Sequence, residues 1–148
     1  MNPAYLHLII NHFPVVGTFM AFLVLLLGWM GKKSAVQKTA LILFVFVGLV
    51  SIPVYLSGNE AEEIVEKFPG VSHEAIEAHE DSAIVTLIFI EVLSLASLMG
   101  FALFGRREKL PVGFLLTVVV LAISVAILTA KTSNLGGKIH HSQEMGGT

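Results

Sequence analysis

The chain of 148 residues contains no cysteine, and only 14% of its residues are charged. The lack of thiols excludes disulfide bonds, iron–sulfur clusters, thiolate zinc sites and covalent CxxCH haem attachment. Soluble domains carry roughly 25% charged residues, so the low charge excludes a soluble globular enzyme and a disordered chain. The formal net charge of -2 provides no basic surface for nucleic acid. With 55% hydrophobic residues, the sequence instead indicates a small membrane domain.

Four apolar stretches are long enough to cross a bilayer, which takes about 20 helical residues. They lie at residues 5–30, 36–57, 82–104 and 111–133. Each stretch is continuously apolar rather than alternating, and a backbone in lipid must satisfy its hydrogen bonds internally, so we expect helices. The sequence therefore predicts an all-α, integral membrane four-helix bundle with up-down-up-down topology, formed by a single transmembrane domain over residues 1–148.

The two short connections between spans are basic. They contain, or directly adjoin, six of the nine Lys and Arg residues: Lys32, Lys33, Lys38, Arg106, Arg107 and Lys109. The positive-inside rule places both connections in the cytoplasm, and hence both termini and the middle loop at 58–81 on the other side. That loop contains eight of the eleven acidic residues: Glu60, Glu62, Glu63, Glu66, Glu74, Glu77, Glu80 and Asp81. We expect a multi-pass protein of the cytoplasmic membrane.

Local signals predict where helices begin and end near the outer loop. A short amphipathic helix is expected from Ser57 or Asn59 to Lys67, with Pro69-Gly70 after it. Ser72 is expected to cap a further helix that runs through His79 into the third span. Gly136-Gly137 is typical of a C-terminal stop for the fourth span.

All six histidines fall on the predicted outer side of the membrane. His7 and His12 begin the first span, His73 and His79 lead into the third, and His140 and His141 follow the fourth. In a bundle, a histidine of the first span can face His79 around a planar cofactor, as in bundle haem sites. His7 and His12 project about 140° apart on a helix, which favours two different centres. His73 and His141 are expected to be interfacial residues without a ligand role.

His12 is followed closely by Pro14, which cannot donate a hydrogen bond to residue 10 and disturbs that helical turn. One interpretation is an ordinary proline kink near a helix end. The other is a kink that aims His12 at a ligand. We expect His12 and His79 to be the first pair of haem ligands, with His7 and His140 as a second pair.

Residues 7–14 have the pattern His-x4-His-Phe-Pro, and residues 132–140 read TSNLGGKIH. Together with the four spans, these segments resemble a family of small four-helix bacterial membrane proteins of unknown function, over nearly the whole chain. The resemblance implies that His7, His12, His79 and His140 occupy the family's recurring histidine positions, and that the membrane is the bacterial inner membrane. Similar Gly-Gly…His tails occur near b-type haems in some redox membrane proteins. His141 and the acidic loop lie outside the shared pattern.

Glu91 is the only acidic residue in the interior of a span. An ionisable residue inside the membrane suggests a function, and proton transfer linked to a quinone or an ion path would suit it. The alternative is a protonated carboxyl that bonds a neighbouring hydroxyl or carbonyl.

The leading hypothesis is a haem b subunit, with one or two haems, that transfers electrons near the outer face of the membrane. Its partners would be the lipid bilayer, other subunits of a membrane redox complex, quinol and a periplasmic cytochrome. One alternative is a non-redox anchor subunit. Another is an outer-face metal-binding or transport protein, in which a cluster of His and acidic residues holds the ion: His73, Glu77, His79, Glu80 and Asp81.

Overall fold

Helices account for nearly all of the chain that the computed structural model describes, which is residues 2–67 and 71–145, with side chains as far as Ile139. They are α1 (Pro3–Ile10), α2 (His12–Met30), α3 (Ser34–Val65), α4 (His73–Phe104) and α5 (Val112–Met145). Four segments are long and apolar enough to cross a membrane: Pro3–Met30, Ser34–Val65, His73–Phe104 and Val112–Ile139. The prediction of an all-helical chain with four helices long and apolar enough to cross a membrane is confirmed.

The first membrane segment consists of two consecutive helices. α1 begins after Asn2, whose side chain accepts a hydrogen bond from the Ala4 amide at 3.0 Å. It ends at Asn11, which keeps right-handed helical backbone angles before α2 begins. The interruption falls where Pro14 has no N–H to offer the carbonyl of Ile10, four residues earlier. The proline therefore divides this segment into two helices.

The four long helices pack in a closed ring. α2 contacts α3, α3 contacts α4, α4 contacts α5, and α5 returns to α2. α1 extends from this ring and, among the described residues, contacts α3 and α2 but not α4 or α5. Large apolar side chains fill the interior, with Leu25, Leu41, Phe44, Leu93 and Val118 almost fully buried. Many others remain on the outer surface, as expected for helices surrounded by lipid.

The two basic turns lie at the same end of the ring. The Lys38 ammonium, near the start of α3, donates to the Arg107 carbonyl at 2.8 Å in the turn after α4. Beside it, the carbonyl of Gly28 accepts from the Lys33 amide at 2.8 Å and from the Gln37 side chain at 3.2 Å. These contacts fix the corner between α2 and α3.

The helix ends differ from the sequence predictions in two places. The predicted short helix after residue 57 is wrong, because α3 continues without interruption to Val65. The predicted stop at Gly136-Gly137 is also wrong, because α5 runs through both glycines to Met145. A glycine inside a helix costs only about 1 kcal/mol, which packing against a neighbour can offset. The N-cap at Ser72 is confirmed, whereas Pro69-Gly70 lies outside the described residues.

Replacing Gly28 by alanine should destabilise the corner between α2 and α3. The new Cβ would lie 2.8 Å from the Gln37 backbone nitrogen, which cannot rotate away as a side chain could. We expect a loss of about 1–3 kcal/mol, the usual cost of overpacking, measured by thermal or chemical unfolding in detergent. Gly113→Ala is the matched control, because nothing lies within 4 Å of its Cβ position. Equal stability of the two variants would contradict this account.

Candidate functional site

Two histidines from different helices lie inside the protein at the end opposite the basic turns. His7 belongs to α1 and His79 to the second turn of α4, and both rings are half-buried. They are close enough for the charge on one to act on the other. The His7 ring is bonded to α3 and the His79 ring to α5.

His7 is anchored on α3 through one ring nitrogen. Its Nδ1 lies 3.1 Å from the Val54 carbonyl oxygen and 3.1 Å from Ser57 Oγ. The Ser57 hydroxyl itself donates to that carbonyl at 2.8 Å. A carbonyl oxygen only accepts hydrogen bonds, so Nδ1 carries the proton. In the neutral ring, Nε2 then holds an unshared electron pair.

His79 is anchored on α5 in the same way. Its Nδ1 lies 3.1 Å from the Thr132 carbonyl oxygen, so this nitrogen is again the donor. The Thr132 hydroxyl is within hydrogen-bond distance of Ser82 Oγ at 2.7 Å and of Thr86 Oγ1 at 2.8 Å. Thr86 completes the cluster by donating to the Ser82 carbonyl at 2.7 Å. The residue that holds His79 is therefore itself fixed by two hydroxyls of α4.

A glycine lies against each imidazole. Gly58 follows Val54 by four residues, and a Cβ at Gly58 would lie 3.2 Å from His7 Cε1. Gly136 follows Thr132 by four residues, and a Cβ there would lie 3.0 Å from His79 Cε1. The two histidines thus share the same local arrangement. Each ring packs against a glycine of another helix, and its Nδ1 donates to the backbone carbonyl four residues before that glycine. No hydrogen bond from either Nε2 occurs within the described part of the chain.

The sequence does not identify either glycine as a site residue, because it predicts a helix stop at Gly136 and the start of a loop at Gly58. Each glycine is recognised only by its contact with a histidine on another helix. That contact depends on the relative register of the helices, which the sequence alone does not provide.

Of the other histidines considered as ligands, His12 and His73 lie on exposed surfaces of their helices. His12 is exposed on α2, and its Nδ1 lies 3.2 Å from the Leu8 carbonyl one turn earlier in the same segment. The structure brings His7, rather than His12, into the interior near His79. His73 is exposed and lies 3.0 Å from Glu66 Oε1. The backbone of His140 belongs to α5, but its side chain lies outside the described residues.

Glu91 is distant from the histidine pair. It follows His79 by twelve residues on α4, which corresponds to about 18 Å along the helix axis. The residue is half-buried, and its Oε1 is a buried atom without a hydrogen-bond partner among the described residues. The carboxyl therefore belongs to a separate polar position near the middle of α4.

The acidic side chains between residues 58 and 81 do not gather around a common point in the described structure. Within residues 2–67 and 71–139, no group of three or more His, Asp or Glu side chains is placed to hold a metal ion. The predicted set around His73 and Asp81 therefore does not converge on one ion site, and its member His79 is directed at Thr132 instead.

An apolar groove of about 160 Å³ opens on the outer surface between α2 and α3. Its lining consists of Phe13, Val16, Gly17, Phe46, Val47 and Val50. These side chains offer no hydrogen-bond donor to a quinone carbonyl, so a quinone site stays a prediction from the sequence.

Comparison with protein-family models, with curated proteins and with solved structures gave no match to this chain. What the chain does must therefore be inferred from the geometry of its own residues.

The Thr132→Val variant should destabilise the histidine end of the bundle. Valine keeps the shape of threonine but leaves the buried Ser82 hydroxyl without its partner, which costs about 1–3 kcal/mol. Unfolding in detergent measures the change. Thr117→Val is the matched control, because the Thr117 hydroxyl is exposed and bonds only the Gly113 carbonyl of its own helix. A similar loss in both variants would contradict a special role for the Thr132 cluster.

Proposed function

We propose that the chain binds one b-type haem through Nε2 of His7 and Nε2 of His79, and serves as an electron-transfer subunit. The observation that carries the proposal is the shared anchoring of both rings by Nδ1 to a backbone carbonyl. Histidines that ligate metals almost always donate their other ring N–H to such an acceptor, which fixes the tautomer and the ring orientation.

The donor set fits a haem better than it fits a bare metal ion. Two imidazoles supplied by different helices are the usual protein ligands of a low-spin haem in a bundle, so no third ligand from the protein would be needed. Structural zinc, in contrast, takes four protein ligands. A bound haem would supply reversible one-electron chemistry at its iron.

The chain's own residues would hold this group and exclude water from it. Val54, Ser57 and Thr132 orient the two rings, while Gly58 and Gly136 let the rings approach the neighbouring helices closely. The surrounding apolar helices keep the dielectric constant low, which is one means by which a protein sets a haem potential.

We infer an up-down-up-down bundle in the bacterial inner membrane, with both termini and the histidine pair on the non-cytoplasmic side. The Lys38–Arg107 contact joins the two basic turns, which the positive-inside rule assigns to the cytoplasm. The acidic residues around the start of α4 then face outward, where quinol and a periplasmic cytochrome would be the electron donor and acceptor.

The absence of native cysteine permits a direct test of orientation. Glu74→Cys places a thiol on an exposed residue at the start of α4, and Glu108→Cys places one on an exposed residue in the second basic turn. In intact cells, a membrane-impermeant thiol reagent should label the Glu74→Cys variant and leave Glu108→Cys unlabelled until the membrane is opened. The reverse pattern would overturn the assigned sides.

The haem proposal predicts that protein purified from haem-replete cells shows a reduced-minus-oxidised spectrum of low-spin haem b, near one haem per chain by pyridine haemochrome assay. His7→Ala and His79→Ala should each abolish this spectrum, because each would remove one of the two imidazoles proposed to hold the haem. His12→Ala is the matched control and should retain the spectrum, since His12 is exposed on the same membrane segment.

Two adjacent glycines provide a finer control for the same experiment. Gly136→Ala crowds the His79 ring and should reduce haem content, whereas a Cβ at Gly137 meets nothing within 4 Å, so Gly137→Ala should not. A colourless wild-type protein, or full haem retention in both histidine variants, would overturn the haem assignment. A colourless but well-folded protein would favour the anchor subunit.

A further inference from the structure

We propose that Glu91, together with Ser94 and Gly48, forms a proton-binding site in the middle of the membrane, independent of the haem proposed above. The site lies where α4 packs on α3. A Cβ placed at Gly48 would overlap the Ser94 side chain and lie 3.3 Å from Glu91 Oε2. The missing side chain at Gly48 thus leaves room for both polar groups.

Two further buried hydroxyls lie near the same depth. Gly17 on α2 packs on Val47 of α3, and the next residue of α3, Gly48, packs on Ser94 of α4. Thr18, which follows Gly17, therefore lies at about the same level along the bundle as Ser94. Ser97 follows one helical turn later. Thr18 and Ser97 are both 0% exposed, which places them in the interior of the ring.

Three polar atoms near this level lack hydrogen-bond partners. Thr18 Oγ1, Ser97 Oγ and Glu91 Oε1 are all buried and have no hydrogen-bond partner among the described residues. Buried polar groups in proteins are nearly always paired, because an unpaired group is strongly disfavoured in apolar surroundings. An unpaired buried carboxyl oxygen therefore disfavours the ionised form of Glu91, because a carboxylate only accepts hydrogen bonds and finds no donor here.

A proton is the ligand that fits. The facing stretches of the other helices, residues 13–31, 39–54 and 112–130, contain no ionisable side chain, and residues 82–104 of α4 contain only Glu91. With no cation to pair with, an ionised carboxylate here would be an isolated charge in a low-dielectric interior, which a bound proton removes. Protonation also turns an acceptor-only group into one that donates.

Reaction with a hydrophobic carbodiimide tests the proposal on the full chain in membranes. The proton of a carboxylic acid moves to one carbodiimide nitrogen, and the carboxyl oxygen adds to the central carbon. The adduct rearranges to a stable acylurea, so the peptide gains the mass of one whole reagent and nothing leaves. N,N′-dicyclohexylcarbodiimide should modify Glu91 near neutral pH, as mapped by mass spectrometry, with loss of the modification in Glu91→Gln.

Matched reagents and variants make the result specific. A water-soluble carbodiimide with an added amine should modify exposed glutamates such as Glu63 and Glu77 but not Glu91. Gly48→Ala should slow modification of Glu91 several-fold by crowding its carboxyl. Gly113→Ala should leave the rate unchanged, because its Cβ position is open.

Infrared spectroscopy tests directly whether Glu91 is protonated, even if the reagent fails to reach the site or Gly48→Ala fails to fold. A protonated Glu91 gives a carboxylic-acid carbonyl band that shifts in heavy water and is absent from Glu91→Gln. Ser94→Ala should shift the same band. Absence of such a band in the wild-type chain, or modification of Glu91 by the water-soluble reagent, would overturn the proposal.

Discussion

A backbone carbonyl accepts hydrogen bonds and never donates them, and this one constraint fixes the ring tautomers at the histidine end of the bundle. Because His7 and His79 each direct Nδ1 at such an oxygen, both neutral rings hold their unshared pair at Nε2. The carbonyls belong to long helices whose ladders keep them fixed. The two Nε2 atoms are therefore oriented by the helices that hold the rings, in the way that metal-binding histidines are oriented by the acceptor of their other ring N–H.

A lipid environment explains why most of the few polar side chains in the apolar helices are hydrogen-bonded within the protein. Lipid provides no hydrogen bonds, so each hydroxyl in a span must find a partner within the protein. Ser51, Thr86 and Thr129 bond the carbonyl one turn earlier in their own helices. Where a hydroxyl or carboxyl lacks such a partner, as at Thr18 and Glu91, the position stands out against the rest of the interior. Small residues such as Gly48 then determine how close two helices approach there.

The fold could be predicted from the sequence much better than the site. Long apolar runs identify membrane helices regardless of how they pack, and the Ser72 cap depends only on local geometry. The end of α5 could not be predicted, because Gly136 is tolerated in a helix by its contact with His79, which is remote in sequence. For the same reason, His7 and His12 could not be distinguished as interior and exterior. Their faces depend on how α1 meets α3, and Pro14 shifts that relation.

The two imidazoles are bonded to different helices: His7 to α3, and His79 to α5. Their own helices, α1 and α4, do not pack against each other within the described residues. Any ligand that engages both nitrogens would therefore act as a cross-link between α1 and α4, closing a loop of more than seventy residues along the chain. Its binding energy would add to the stability of the native state, since such a ligand binds the folded chain and not the unfolded one. Assembly of the bundle and loading of its ligand would then be a single, thermodynamically coupled event.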